Sequence, residues 1–78
     1  MVWKIEFSDT ARKQMGKLDR QATTEIIRYL RERISTDEDP KRFGEPLHYN
    51  LIGFWKYRVG TYKLICDIQE ERFILLVL

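Results

Sequence analysis

Polar and apolar residues alternate through "VWKIEF", with Trp3, Ile5 and Phe7 on one side and Lys4 and Glu6 on the other. That period of two predicts a half-buried strand. Ser8 and Asp9 follow as helix-capping residues, and Ala11, Met15 and Leu18 then recur at helical spacing. Gly16 weakens the end of this helix. Asp19 is placed to cap a second helix, whose apolar stripe is Ala22, Ile26, Leu30 and Ile34, with Ile27 beside it. Arg28, Arg31 and Arg33 fall mostly off the stripe and alternate with Glu25 and Glu32, which predicts an ordinary solvated face. The stretch "STDEDPKRFGEPLHYNLIG" holds both prolines, an acidic run and few apolar residues, and reads as a long loop.

The remainder predicts β structure. Trp55, Tyr57 and Val59 alternate in "FWKYRV", and Tyr62, Leu64, Cys66 and Ile68 alternate in "TYKLICDI". Gly60 and Thr61 between them suit a type II′ turn with glycine first. That turn sets Val59 opposite Tyr62 and brings both apolar rows to one face, whereas a one-residue slip would turn one row outward. A turn near Glu70 and Glu71 leads to "RFILLVL", a continuous apolar run that predicts a strand buried on both faces. The order is β-α-α-β-β-β. The expected fold is α+β, a two-helix hairpin packed on one face of a small antiparallel sheet.

With 78 residues the chain, 1–78, is a single domain. A net charge of only +2 says little about partners, so local clustering must carry that argument. One cysteine, Cys66, rules out an internal disulfide, leaves no motive for a disulfide-linked partner and fits a reducing cytoplasm. In its apolar row it reads as a small core residue, not a nucleophile. One histidine, His48, far from Cys66, makes no metal site, and no cofactor is expected. The alternating N-terminus is unlike a signal peptide, and "FILLVL" is too short to span a bilayer, so no membrane association is expected.

The predicted register brings Lys56, Arg58 and Lys63 to the other face of the hairpin, with Arg58 directly opposite Lys63 and no acid between residues 46 and 66. Like charges opposite each other destabilise a sheet. The plain reading is the wet side of a half-exposed hairpin. The functional reading is an anion site, pre-organised for charge that develops in a transition state. Such a site can serve metal-independent RNA cleavage, with a 2′-hydroxyl as nucleophile. Crowding by cations favours a neutral amine and makes Lys56 a candidate general base.

The run "LIGFWKYRVGTYKLI", most specifically Trp55 to Ile65, together with the opening "VWKIEFSDTARKQMGKLD", resembles the RelE toxins of the RelE/ParE toxin–antitoxin superfamily. The likeness covers essentially the whole chain. It implies a ribosome-dependent messenger-RNA endoribonuclease that enters the ribosomal A site, inhibits translation and is restrained by a RelB-like antitoxin. It also implies that Lys56, Arg58 and Lys63 are catalytic. Lys63 stands where the family usually has arginine, which keeps the charge but loses a bidentate phosphate fork. Family members continue past the last strand with further catalytic residues. The resemblance therefore implies a RelE-like domain whose C-terminal segment is missing, and a weak or inactive ribonuclease. A ParE-like gyrase inhibitor and an inactive antitoxin-binding module are the alternatives.

Overall fold

The computed structural model describes residues 1–78. Strand β1 (Lys4–Phe7) leads into helix α1 (Asp9–Lys17) and helix α2 (Arg20–Tyr29). Both caps form as the sequence requires. The Ser8 hydroxyl accepts from the Ala11 N–H at 3.0 Å, and the Asp19 carboxylate accepts from the Ala22 N–H at 2.8 Å. The helical path continues past α2 as a wider π-type turn over Leu30–Ile34. Ala22, Ile26, Leu30 and Ile34 are all buried, as the stripe predicts, while Arg28, Arg31 and Arg33 are exposed.

Strands β2 (Glu45–Pro46), β3 (Trp55–Val59), β4 (Tyr62–Gln69) and β5 (Ile74–Val77) complete a five-stranded sheet in the order β1-β5-β4-β3-β2. Two features correct the sequence reading. The sheet is mixed, not antiparallel throughout, because β1 runs parallel to β5. Alternation along β1 fixes which face it buries but carries no information about its neighbour's direction. The stretch read as a loop is also partly ordered. It forms a 3₁₀ turn at Pro40–Phe43, the short strand β2 and a second 3₁₀ turn at Tyr49–Leu51. Strand β5 lies between β1 and β4, and Ile74, Leu75 and Val77 are buried, in line with its unbroken apolar run.

The β3–β4 register pairs Val59 with Tyr62 and Arg58 with Lys63, as the turn predicts. Gly60 has φ +59° while Thr61 is not among the residues of positive φ, which is the type II′ pattern. Tyr57, Val59, Leu64, Cys66, Leu75 and Val77 meet Ala11 and the α2 stripe to form the core. Tyr62 departs from expectation. It lies on the core side of its strand but at the hairpin end, where it stays 36% exposed. The segment after α2 is tied back to the sheet edge: Trp3 N–H donates to the Thr36 carbonyl at 2.9 Å, and the Ser35 hydroxyl donates to the Trp3 carbonyl at 3.1 Å. These bonds cover part of an edge strand that would otherwise present unpaired backbone.

Tyr57 anchors the loop to the core. Its ring is fully buried and its hydroxyl donates to the Pro40 carbonyl at 2.6 Å. A buried tyrosine needs such a partner. The ring leaves no room at Gly44, where an added Cβ would stand 2.9 Å from Tyr57 Cζ and 3.2 Å from Trp55 Cε3. Gly44→Ala is therefore expected to lower stability by about 1–3 kcal/mol through overpacking, measured by urea unfolding. An unchanged midpoint would show that the loop is not clamped on Tyr57.

Burial pushes the Cys66 thiol up to about 12, which agrees with its reading as an inert core residue. Burial likewise raises Tyr57 and Tyr29 above the ordinary phenol range. Each of these acids keeps its proton to higher pH when folded than when unfolded. Their contribution is complete below the unfolded value and fades as pH rises through the gap. Stability should thus decline above pH 9, the ordinary thiol value. Cys66→Val should flatten that decline between pH 9 and 10 by up to about 1.4 kcal/mol per pH unit, the worth of one proton. Identical alkaline limbs in the two proteins would refute the assignment.

Candidate functional site

The helices and the 40–44 segment occupy the Tyr57 side of the sheet. The other side of the hairpin carries Lys56, Arg58 and Lys63, the three cations singled out from the sequence. Pairing fixes their layout. In a two-residue hairpin Val59 and Tyr62 form the hydrogen-bonded pair at the turn. Arg58 and Lys63 are then the next, non-hydrogen-bonded pair, whose Cα atoms stand about 4.5 Å apart. Lys56 is two residues down β3, opposite Ile65.

The structure adds an anion that the sequence did not reveal. Strand β2 pairs Glu45 with Lys56, and the Lys56 ammonium lies 3.7 Å from the Glu45 carboxylate. Glu45 is largely exposed whereas Lys56 is only 22% exposed, so the carboxylate is free to yield to a stronger anion. Arg58 and Lys63 are exposed and make no ion pair; the pairs present are Lys41–Glu70, Arg42–Glu38 and Lys56–Glu45. Arg58 also borders a cleft of about 250 Å³ that it shares with Arg28, Arg33, Glu25 and Glu32 of the second helical segment.

The other polar groups do not converge here. His48 is exposed in the loop before the second 3₁₀ turn. No group of three or more His, Cys, Asp or Glu comes together in a way that could hold a metal ion. Tyr57 and Tyr62 lie on the helix side of the hairpin, so neither hydroxyl joins the cations. No helix is long and apolar enough to cross a membrane. The chemistry on offer is anion binding and stabilisation of negative charge on a rigid sheet. Glu45 carried no sequence signal, because a two-residue strand is too short to show a period. Asp67, which also lies on this face, was passed over in the sequence reading although it continues the alternation of Lys63 and Ile65 along β4.

Comparison with known proteins gives the class. Residues 5–78 match the family described as ParE toxin of type II toxin–antitoxin system, parDE. Toxin RelG of Mycobacterium tuberculosis is 30% identical over 78 residues, covering 100% of this chain and 87% of that protein. The crystal structure of the toxin–antitoxin complex RelBE2 from the same organism superposes with a TM-score of 0.89 at 27% identity, covering 99% of this chain and 86% of that one. A mutant E. coli toxin RelE in the free state shares the fold, with a TM-score of 0.74 at 18% identity over 99% of this chain and 79% of that one. Fold and sequence together define a toxin of a type II toxin–antitoxin system. Within that class the chain belongs to the RelE/ParE family.

The Arg58–Lys63 opposition has a measurable cost. Lys63→Gln should stabilise the fold by about 0.2–1 kcal/mol at low salt, and by less at high salt. Urea unfolding at two ionic strengths checks this. A clear loss of stability at low salt would mean that the two side chains do not repel.

Proposed function

We propose that this toxin cuts messenger RNA on translating ribosomes, and that Lys56, Arg58 and Lys63 bind and stabilise the scissile phosphate. The observation that carries this reading is the facing pair Arg58 and Lys63, exposed, close and without a carboxylate partner. The likeness to Toxin RelG supports the same reading. In the proposed step the 2′-oxygen of one nucleotide forms a bond to the adjacent phosphorus and the P–O5′ bond breaks. The 2′-hydroxyl proton passes to solvent and the departing 5′-oxygen takes one up. Extra negative charge gathers on the phosphoryl oxygens, where the guanidinium of Arg58 and the ammonium groups of Lys56 and Lys63 stabilise it. Removing one such donor typically lowers rate by about 10²–10³-fold.

The carboxyl groups on this face, Glu45 and Asp67, are engaged by Lys56 and Gln69, and neither tyrosine hydroxyl of the hairpin reaches it, so no dedicated proton donor for the leaving 5′-oxygen is proposed. General acid–base help is worth about 10²–10⁴-fold, so the chain by itself is proposed to be a weak nuclease. The setting is the cytoplasm, where the ribosomal A site and its message are found. The proposed restraining partner is a RelB-like antitoxin with acidic residues toward the basic hairpin; the toxin–antitoxin complex among the structural neighbours supports this.

A second reading rests on a separate observation. The matched family is described as ParE, so inhibition of DNA gyrase is the alternative target. Expression without an antitoxin, followed by primer extension on translated messages and a gyrase supercoiling assay, separates the two. Breaks in translated RNA are expected, falling at least about 100-fold when Lys56→Ala and Arg58→Ala are combined. Gyrase inhibition without RNA breaks would overturn the nuclease reading.

A further inference from the structure

The open face of the sheet is not uniformly polar. Continuing the two hairpin registers by one residue sets Phe54 opposite Asp67 on β4 and beside Leu47. The Leu47 N–H donates to the Phe54 carbonyl at 3.0 Å, so the ladder does extend this far. Phe54 precedes Lys56 by two residues and thus projects from the cation side, about 6.7 Å along the strand. Ile65 stands opposite Lys56, and Leu76 opposite Asp67. Phe54, Ile65 and Leu76 are half-buried, yet none is among the hydrophobic residues packed against the helix-side core. The two aromatic pairs are Trp3–Phe73 and Tyr29–Tyr57, so the Phe54 ring stacks on neither.

An aromatic and aliphatic platform therefore lies in register with a row of cations. A bare phosphate site does not call for Phe54, whose place two residues from Lys56 suits a base flanked by a phosphate. Single-stranded nucleic acid needs both parts, because cations track the backbone while bases stack on aromatic side chains. Asp67 adds a directional element. One carboxylate oxygen accepts from the Gln69 amide at 3.2 Å, and an ionised carboxylate accepts but never donates. Its remaining acceptor capacity suits a base edge that carries an amino group.

We propose that Phe54, with Ile65 beside it, seats an unpaired RNA base whose flanking phosphates lie on Lys56, Arg58 and Lys63, and that Asp67 favours bases bearing an exocyclic amine over uracil. This deepens the RNA reading given above and rests on it. The seat makes the hairpin a nucleotide site rather than a phosphate site.

The test is direct binding, independent of cutting. Intact protein is titrated with single-stranded hexaribonucleotides and with an abasic ribose–phosphate chain of equal length, followed by NMR at low salt. Stacking worth about 1–3 kcal/mol per base converts to base-containing RNA binding about 5- to 150-fold tighter than the abasic chain. Phe54→Ala should bring that ratio toward one while leaving abasic affinity in place, and Phe54→Tyr should retain it. Parent protein should prefer hexacytidine to hexauridine, and Asp67→Asn should reduce the preference. Equal binding of abasic and base-containing chains by parent protein overturns the proposal, as does an equal loss of both in Phe54→Ala. Loss of both on combining Lys56→Ala with Arg58→Ala supports the phosphate row separately. If no chain binds the parent, the anion site itself fails. A face that takes only an apolar protein helix would show the same absence of RNA binding, and would likewise refute the proposal.

Discussion

Val59 faces Tyr62 across Gly60 and Thr61, and this single pairing determines where every side chain of the hairpin points. Side chains alternate along a strand, so a slip of one residue would turn one strand's core row, Tyr57 with Val59 or Leu64 with Cys66, to solvent and that strand's cations toward the helices. The left-handed φ of Gly60 lets the chain reverse in two residues without strain. The core then locks the result. Tyr57 and Cys66 are completely buried against the helical stripe, and Tyr57 is further tied to the Pro40 carbonyl. Basic site and core are thus two faces of one register, and neither can shift without the other.

That coupling explains how a small domain tolerates facing cations. A cross-strand pair contributes about 0.2–1 kcal/mol, whereas burial of one large apolar side chain contributes about 1.5–3 kcal/mol. Several such side chains are buried on the far side of the same two strands, so repulsion between Arg58 and Lys63 does not decide the fold. Glu45 offsets the third cation from a strand two residues long. The sheet thereby holds positive charge on a rigid frame, where it is ready for an anion without reorganisation.

Rigidity also distinguishes this face from the rest of the surface. The arginines of α2 and of the Leu30–Ile34 turn alternate with Glu25 and Glu32 on an exposed helical face, where mixed charges are solvated and screened. On the hairpin Lys56 faces Ile65, stands two residues from Phe54 and is half-buried, whereas Arg58 and Lys63 at the turn end stay exposed. Charge next to apolar surface acts over a less polarisable medium than charge next to bulk solvent.

The elements set by local chemistry were legible in the sequence: the capped starts at Ser8 and Asp19, the α2 stripe, the turn at Gly60, and the opposition of Arg58 and Lys63. Each depends on residues a few positions apart, so propensity and period were enough. What depended on distant pairing was not legible. The parallel partnership of β1 with β5 joins residues some seventy positions apart, and nothing in either strand states its neighbour's direction. Glu45 reached Lys56 only because Tyr57 and Gly44 draw the loop onto the sheet, which lets two residues form β2. The sequence by itself thus determined which side chains share a face. The tertiary structure decided what stands beside that face, because strand order is set by long-range packing and not by any local pattern.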